Sequence, residues 1–235
     1  MNFTPFDKIP RLRRETIITE KIDGSNAQVC IVPVRDLVPD KAEAVYIDHP
    51  SVADPVAIFA GSRTRWVTPG KTTDNYGFAA WVLANAQELR RLGPGAHFGE
   101  WFGAGINRGY GLTERRFALF NTSRWLPVVT GGVADSDTGE LIRCCEVVPL
   151  IWRGPALDTR DADNAVEMLR ARGSFAVPGF MRPEGIVIYH VASQTLFKQT
   201  LENDAAPKGV PDLTNTAQLS AGVKAANEVF RRSVQ

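Results

Sequence analysis

The sequence predicts an α+β domain in which antiparallel strand pairs carry helices inserted between them. Three observations lead there. Runs rich in β-branched residues recur along the chain, turn residues separate them, and only a few stretches have helical spacing. No repeat, low-complexity segment or linker divides the 235 residues, so a single domain over 1–235 with a sizeable core is expected.

The elements follow in order. Residues 16–21 (TIITEK) alternate and read as a strand, Asp23-Gly24-Ser25 is a turn signal, and 26–34 (NAQVCIVPV) reads as the returning strand. The stretch 38–55 has prolines and mixed polarity and reads as irregular surface. Another strand, 56–62 (VAIFAGS), leads into the basic segment Arg63-Thr64-Arg65-Trp66. Residues 76–92 have helical spacing that stops at Gly93-Pro94-Gly95. Strands are expected over 97–102 and 116–120, with four glycines between 103 and 111 in the loop that separates them, and over 140–148. A helix over 158–172 has Asp158 or Thr159 as N-cap and Gly173 at its end. Residues 185–191 and 194–201 form a strand pair across a tight polar turn. The C-terminal 205–235 reads as a loop and a helix, with Leu219, Val223, Ala226 and Phe230 on one face.

Composition narrows the function classes. The chain is 44% hydrophobic and 23% charged, which argues against global disorder. No apolar run approaches the length of a membrane helix, and the N-terminus has no apolar signal region, so a cytoplasmic location without membrane contact is expected. Three cysteines, two of them adjacent, and three scattered histidines argue against a disulfide framework and a zinc site. Net charge is only +1, yet the arginines cluster, as a phosphate-binding face backed by an acidic remainder would require.

Three features carry chemistry. The first is Glu20-Lys21-Ile22-Asp23-Gly24. A lysine at a strand end before a tight turn presents its amine at the mouth of a cleft, where desolvation and nearby positive charge favour the neutral, nucleophilic form. Asp23, two residues on, is placed to hold a metal-bound water, and Gly24 lets the chain pass close to a ligand. Chance supplies such a four-residue pattern in roughly one chain of this length in twenty, so it needs support. The second feature is Glu100, in an otherwise apolar strand, where a ribose hydroxyl or a hydrated divalent cation would suit it. The third is Glu184 at the start of a β-forming run, with Lys198 on the following strand, which together would bring a metal-binding acid and a phosphate-binding lysine to one floor. Phosphoryl transfer needs such a set, because positioning and charge neutralisation lower its barrier.

The ordered series Lys21-x-Asp23-Gly24, Glu100, Phe120, Glu184-Gly185 and Lys198 resembles the motifs of the covalent nucleotidyltransferases, and within them most resembles the RNA ligase family, over residues 16–204. The resemblance implies an ATP-grasp-like ligase adenylation domain of antiparallel sheets flanked by helices. It implies ATP and Mg²⁺ (or Mn²⁺) as cofactors, and RNA with 5′-phosphate and 3′-hydroxyl ends as substrate. Lys21 would form the lysyl–AMP adduct and Glu20 would lie beside the adenine edge. Arg63, or else Arg65, would contact ribose or RNA phosphate, and Glu100 would bind ribose. Phe120 would stack on adenine, with Phe117 as the other candidate. Glu184 would help hold the metal together with Asp23 and Glu100, and Lys198 would contact the α-phosphate. Arg63, Arg65, Arg108, Arg115 and Arg116 are the candidates for RNA phosphates.

Two departures stand out. The family's last motif usually has two lysines one residue apart, whereas Lys198 is flanked by Leu196 and Thr200, and Asn121 stands where Asp is common. The residues after Lys198 are too few for an OB-fold, which favours a small RNA ligase over its alternatives. Those alternatives are a minimal DNA ligase, a capping-type guanylyltransferase and a ligase-like binding protein without catalysis.

Overall fold

The computed structural model describes residues 3, 6, 8–37 and 43–202. The helix expected near the C-terminus lies outside the described residues. In chain order the strands are β1 (Thr16–Lys21), β2 (Ser25–Pro33), β3 (Tyr46–Ile47), β4 (Val56–Ser62), β5 (Trp66–Val67), β6 (Gly95–Gly103) and β7 (Arg115–Leu119). They continue with β8 (Trp125–Pro127), β9 (Val133–Asp135), β10 (Leu141–Ile142), β11 (Cys145–Val147), β12 (Leu150–Gly154), β13 (Gly185–His190) and β14 (Thr195–Thr200). The helices are α1 (Phe78–Ala84), α2 (Ala86–Leu89) and α3 (Thr159–Arg172).

These strands form a large sheet ordered β11-β7-β6-β2-β4-β3 with β5 on β4, a four-stranded sheet ordered β12-β1-β13-β14, and a small β10-β9-β8 sheet. All pairs are antiparallel except β7 with β11.

Strand alternation gives each large layer two different faces. In the four-stranded sheet Ile18, Ile186 and Ile188 bury against Ala162, Ala165, Val166 and Leu169 of α3. Lys21 and Lys198 have the opposite parity and so lie on the face away from α3. In the large sheet Ala27, Val29, Ile31, Ile58, Ala60, Phe117 and Leu119 pack against Phe78, Ala79, Val82, Ala86 and Leu89 of α1 and α2. Asn26, Gln28, Phe98, Glu100 and Ala118 lie on the other face. A third cluster, Ile22, Phe102, Tyr110, Ala118 and Val148, fills the junction between the two sheets.

The α+β expectation holds, and so do most element positions. Asp158 caps α3 through a reciprocal capping box with Asp161, and Gly173 ends it. Three expectations are corrected. First, 16–21 and 26–34 are not a hairpin: β1 pairs with β12 and β13, β2 pairs with β4 and β6, and the chain crosses from one sheet to the other at 22–24. Second, the 76–92 helix breaks at Asn85, whose side chain donates to the Trp81 carbonyl (2.8 Å) and ends α1. Third, 140–148 is split, β10 joining the small sheet and β11 the large one. The span 38–55, read as irregular, contains β3 at its described end.

Candidate active site

Lys21 is the last residue of β1, where the four-stranded sheet hands the chain over to the large one. Its β13 partner is Gly185, which puts Glu184 just beyond the strand end, and the Lys21 amine lies 2.7 Å from a Glu184 carboxylate oxygen. The Lys21 side chain is 24% exposed and that of Glu184 5%, so the pair is largely withdrawn from solvent, with the amine reaching out of it. Glu100 approaches from β6, and the Gly24 N–H donates to it (3.0 Å). Burial pushes the Glu100 carboxyl up to about 7. The Lys21 charge, the Gly24 N–H and the Arg63 charge oppose that rise, while the Glu184 charge adds to it. Gly24 is needed because a Cβ there would meet the Trp101 carbonyl oxygen at 2.5 Å. The close approach that Gly24 permits is therefore to the β6 backbone.

The two acids that bracket Lys21 in sequence have other duties. Glu20 is 1% exposed and accepts from the Ser174 hydroxyl (2.6 Å) and from the N–H groups of Phe175 (2.7 Å) and Ala176 (2.9 Å). Burial raises its carboxyl above the usual range against these donors. The Glu20 carboxylate is thus engaged by the segment that follows α3. Asp23 accepts from Asn107 Nδ2 (2.9 Å) and Arg108 Nε (3.0 Å), while its own N–H donates to the Tyr110 hydroxyl (2.8 Å). Both of its oxygens hold the glycine-rich loop, where a metal-bound water was expected.

The arginines separate in the same way. Arg108 is engaged by Asp23 and by the Arg182 carbonyl (2.9 Å). Arg115 donates to the carbonyls of Ala104 (2.8 Å) and Tyr76 (2.7 Å). Arg116 pairs with Glu114 (3.1 Å) and Glu146 (3.3 Å). Arg108 and Arg115 thus tie loops together, and Arg116 pairs with acids beside its own strand and on the neighbouring one. Arg65 donates to the Thr73 carbonyl (3.0 Å), whereas Arg63 is exposed and its charge reaches Glu100. Arg63 is the better placed of that pair.

Phe117 lies in an aromatic cluster with Phe78 and Trp81 and is fully buried, so it is unavailable to a ligand. Phe120 is 39% exposed and follows β7 with the parity of Ala118, which faces Glu100 across the pair. Lys198 pairs with Val187, and Val187 with Thr19, so Lys198 shares the Lys21 face at a Cα separation of about 12 Å from strand spacing. Thr200 pairs with Gly185, directly in line with Lys21. The position flanking Lys198 on the Lys21 side thus carries a hydroxyl instead of a second cation.

Among the described residues no three His, Cys, Asp or Glu side chains converge as a ready metal cage. Sequence reasoning missed Ser174, Asn107 and Tyr110, whose roles lie in brackets to distant residues. The run of glycines between 103 and 111 was the one signal that this loop passes close to something. No described helix is long and apolar enough to cross a membrane.

The RNA ligase family model matches residues 14–200. Solved structures of a Naegleria gruberi RNA ligase are similar to the chain. One mutant complex with ATP and Mn has a TM-score of 0.46 at 16% identity and covers 81% of this chain and 51% of that one. A mutant without ligand gives 0.43 at 17% identity, covering 80% and 50%. The complex with PPi gives 0.43 at 16% identity, covering 80% and 50%. The chain thus spans about half the length of these structures. No curated protein matches. With the family model covering residues 14–200 of 235, the chain belongs to the RNA ligase family.

Proposed function

We propose that the chain is an ATP-dependent RNA ligase that joins a 5′-phosphate to a 3′-hydroxyl, with Lys21 as its nucleophile. The observation that carries this reading is the amine of Lys21 between two acids far away in sequence, 2.7 Å from Glu184 and near enough to Glu100 to act on its charge. Lys21 Nζ attacks the α-phosphorus of ATP, an N–P bond forms, the bond to the β-phosphate oxygen breaks, and pyrophosphate leaves. Attack needs the lone pair, so the ammonium proton must first leave to bulk water, and the Glu184 carboxylate that accepts the amine's hydrogen bond holds the nitrogen in place. An oxygen of the RNA 5′-phosphate then takes AMP from Lys21, breaking the N–P bond. The 3′-hydroxyl finally attacks that 5′-phosphorus, and AMP leaves.

The remaining residues bind and orient. Phe120 offers a ring face to adenine, Glu100 a carboxylate to ribose, Lys198 a cation to the α-phosphate, and Arg63 a cation to RNA phosphate. Magnesium usually keeps several waters and takes one or two carboxylates plus substrate phosphates. Glu100 and Glu184 fit that mode, while Asp23 is spent on Asn107 and Arg108. A hydrated Mg²⁺ or Mn²⁺ held there would supply charge neutralisation at the phosphates.

Incubation with labelled ATP, GTP and NAD in parallel tests the reading. Label is expected on the protein from ATP, and Lys21→Ala should abolish it. Persistent labelling of that variant would overturn the nucleophile assignment.

A further inference from the structure

The cleft face of the large sheet continues past the Glu100 row into a second row set by strand register. Gly61 pairs with Trp66 and with Gln28, and Gln28 pairs with Phe98. The Phe120 N–H donates to the Phe98 carbonyl (3.0 Å). Residues in such a row point to one face, and here it is the face opposite α1 and α2. The row therefore reads Trp66, Gly61, Gln28, Phe98 across four strands and ends on Phe120, just past β7. Its three aromatics are 40%, 51% and 39% exposed, whereas the aromatics on the other face are packed in the core.

Each part of this row is built rather than incidental. Trp66 is propped by Phe59, its ring centroid 5.6 Å away. Gly61 leaves room for the Gln28 side chain to lie across the middle of the row, since a Cβ there would meet it at 2.7 Å. A hollow of about 270 Å³ opens beside it, lined by Gln28, Ser62, Arg63, Thr64, Arg65 and Trp66. From strand spacing, Phe98 stands about 5 Å from Phe120 and about 14 Å from Trp66.

Resting on the ligase reading, we propose that this row is a stacking platform for unpaired RNA bases next to the joint, with Phe98 and Trp66 as ring contacts and Arg63 as the phosphate contact. Rings that accept any base face, lined by cations that track phosphates, are what single-stranded nucleic acid requires. The positive charge of the Arg63–Arg65 edge matches a polyanion and not an apolar protein partner. Continuity with Phe120 sets the direction: the adenylate lies at one end of the row and the RNA strand leads away toward Trp66. Bases locked in a duplex cannot lie on these rings, so the row selects unpaired nucleotides.

The test is fluorescence anisotropy of the full chain, without ATP, on a labelled ten-nucleotide RNA as a single strand and as a blunt duplex. Trp66→Ala and Phe98→Ala should each weaken single-strand binding by about tenfold. Trp66→Phe, which keeps a ring, should stay within about threefold of the native chain, and Leu126→Ala, exposed in the β10-β9-β8 sheet, within about twofold. Native-like binding by the two alanine variants would overturn the proposal. So would losses equally large on the duplex, or no binding of the single strand by the native chain. If Trp66→Ala melts early, Trp66→Phe and Phe98→Ala decide. Labelling at Lys21 is read separately: a chain that labels but shows no ring dependence loses this platform only, and one that shows ring dependence without labelling loses the ligase reading only.

Discussion

The two walls of the cleft differ in how far their side chains are committed. On the four-stranded side, Glu20 satisfies three donors of the segment after α3, Lys21 is held by Glu184, and just past the strand end Asp23 is clamped by Asn107 and Arg108. On the large-sheet side, Glu100 takes one backbone N–H, and Phe98, Phe120 and Trp66 stand open. One wall is fixed in advance, as the proposed nucleophile would require if it is to stay in line for attack. The other offers faces and charge to something that arrives. The difference teaches that the acids nearest Lys21 in sequence are spent on holding the chain, while the acids that face its amine are distant in sequence.

The sharpest way to break this contrast is to empty a bracket on the committed wall. Glu20→Ala leaves a buried hydroxyl and two part-buried N–H groups without their acceptor, and should cost about 3 kcal/mol of unfolding free energy in urea. A loss below about 0.5 kcal/mol would mean that the bracket is idle.

A smaller effect belongs to the facing wall. The Glu100 carboxyl is raised from 4.5 to about 7, so the folded chain binds more protons than the unfolded one in that window. Stability from this group is present at low pH and is lost as pH rises from about 4.5 to about 7. Discounted for partial exposure, the loss is about 2 kcal/mol. Glu100→Gln should remove that slope in urea unfolding without added divalent metal, and should gain on the native chain toward pH 8. An unchanged slope would detach the pH response from Glu100.

The smallest effect separates recognition from folding. Phe120→Ala should weaken ATP binding about tenfold, equivalent to about 1.4 kcal/mol, and leave the melting temperature nearly unchanged. A fall in melting temperature comparable with a core truncation would place Phe120 with Phe117 instead.

What the sequence made legible follows from which interactions are local. Thr16–Lys21, Val56–Ser62 and the β13–β14 pair are long enough to show alternation, and the α3 caps are written in neighbouring residues. Pairing across sheets is not local, so Asp23-Gly24-Ser25 read as a hairpin turn although it bridges two sheets. Strands of two or three residues, such as Trp66–Val67 and Val133–Asp135, are too short for a period to appear. Lys21, Glu184 and Glu100, singled out by the family's order of motifs, do come together in space. The partners of Glu20 and Asp23 were not legible, because adjacency to Lys21 does not say which face a side chain takes. The partners of Arg108 and Arg115 were not legible either, because their acceptors include backbone carbonyls, which no residue pattern reveals.

The central claim is that Lys21, fixed by the committed wall, carries the nucleotide. Peptide mapping by mass spectrometry after incubation with ATP and a divalent metal tests it most directly. The account predicts one AMP, on the peptide containing Lys21. AMP on Lys198 or on another lysine, or no covalent nucleotide at all, would contradict it.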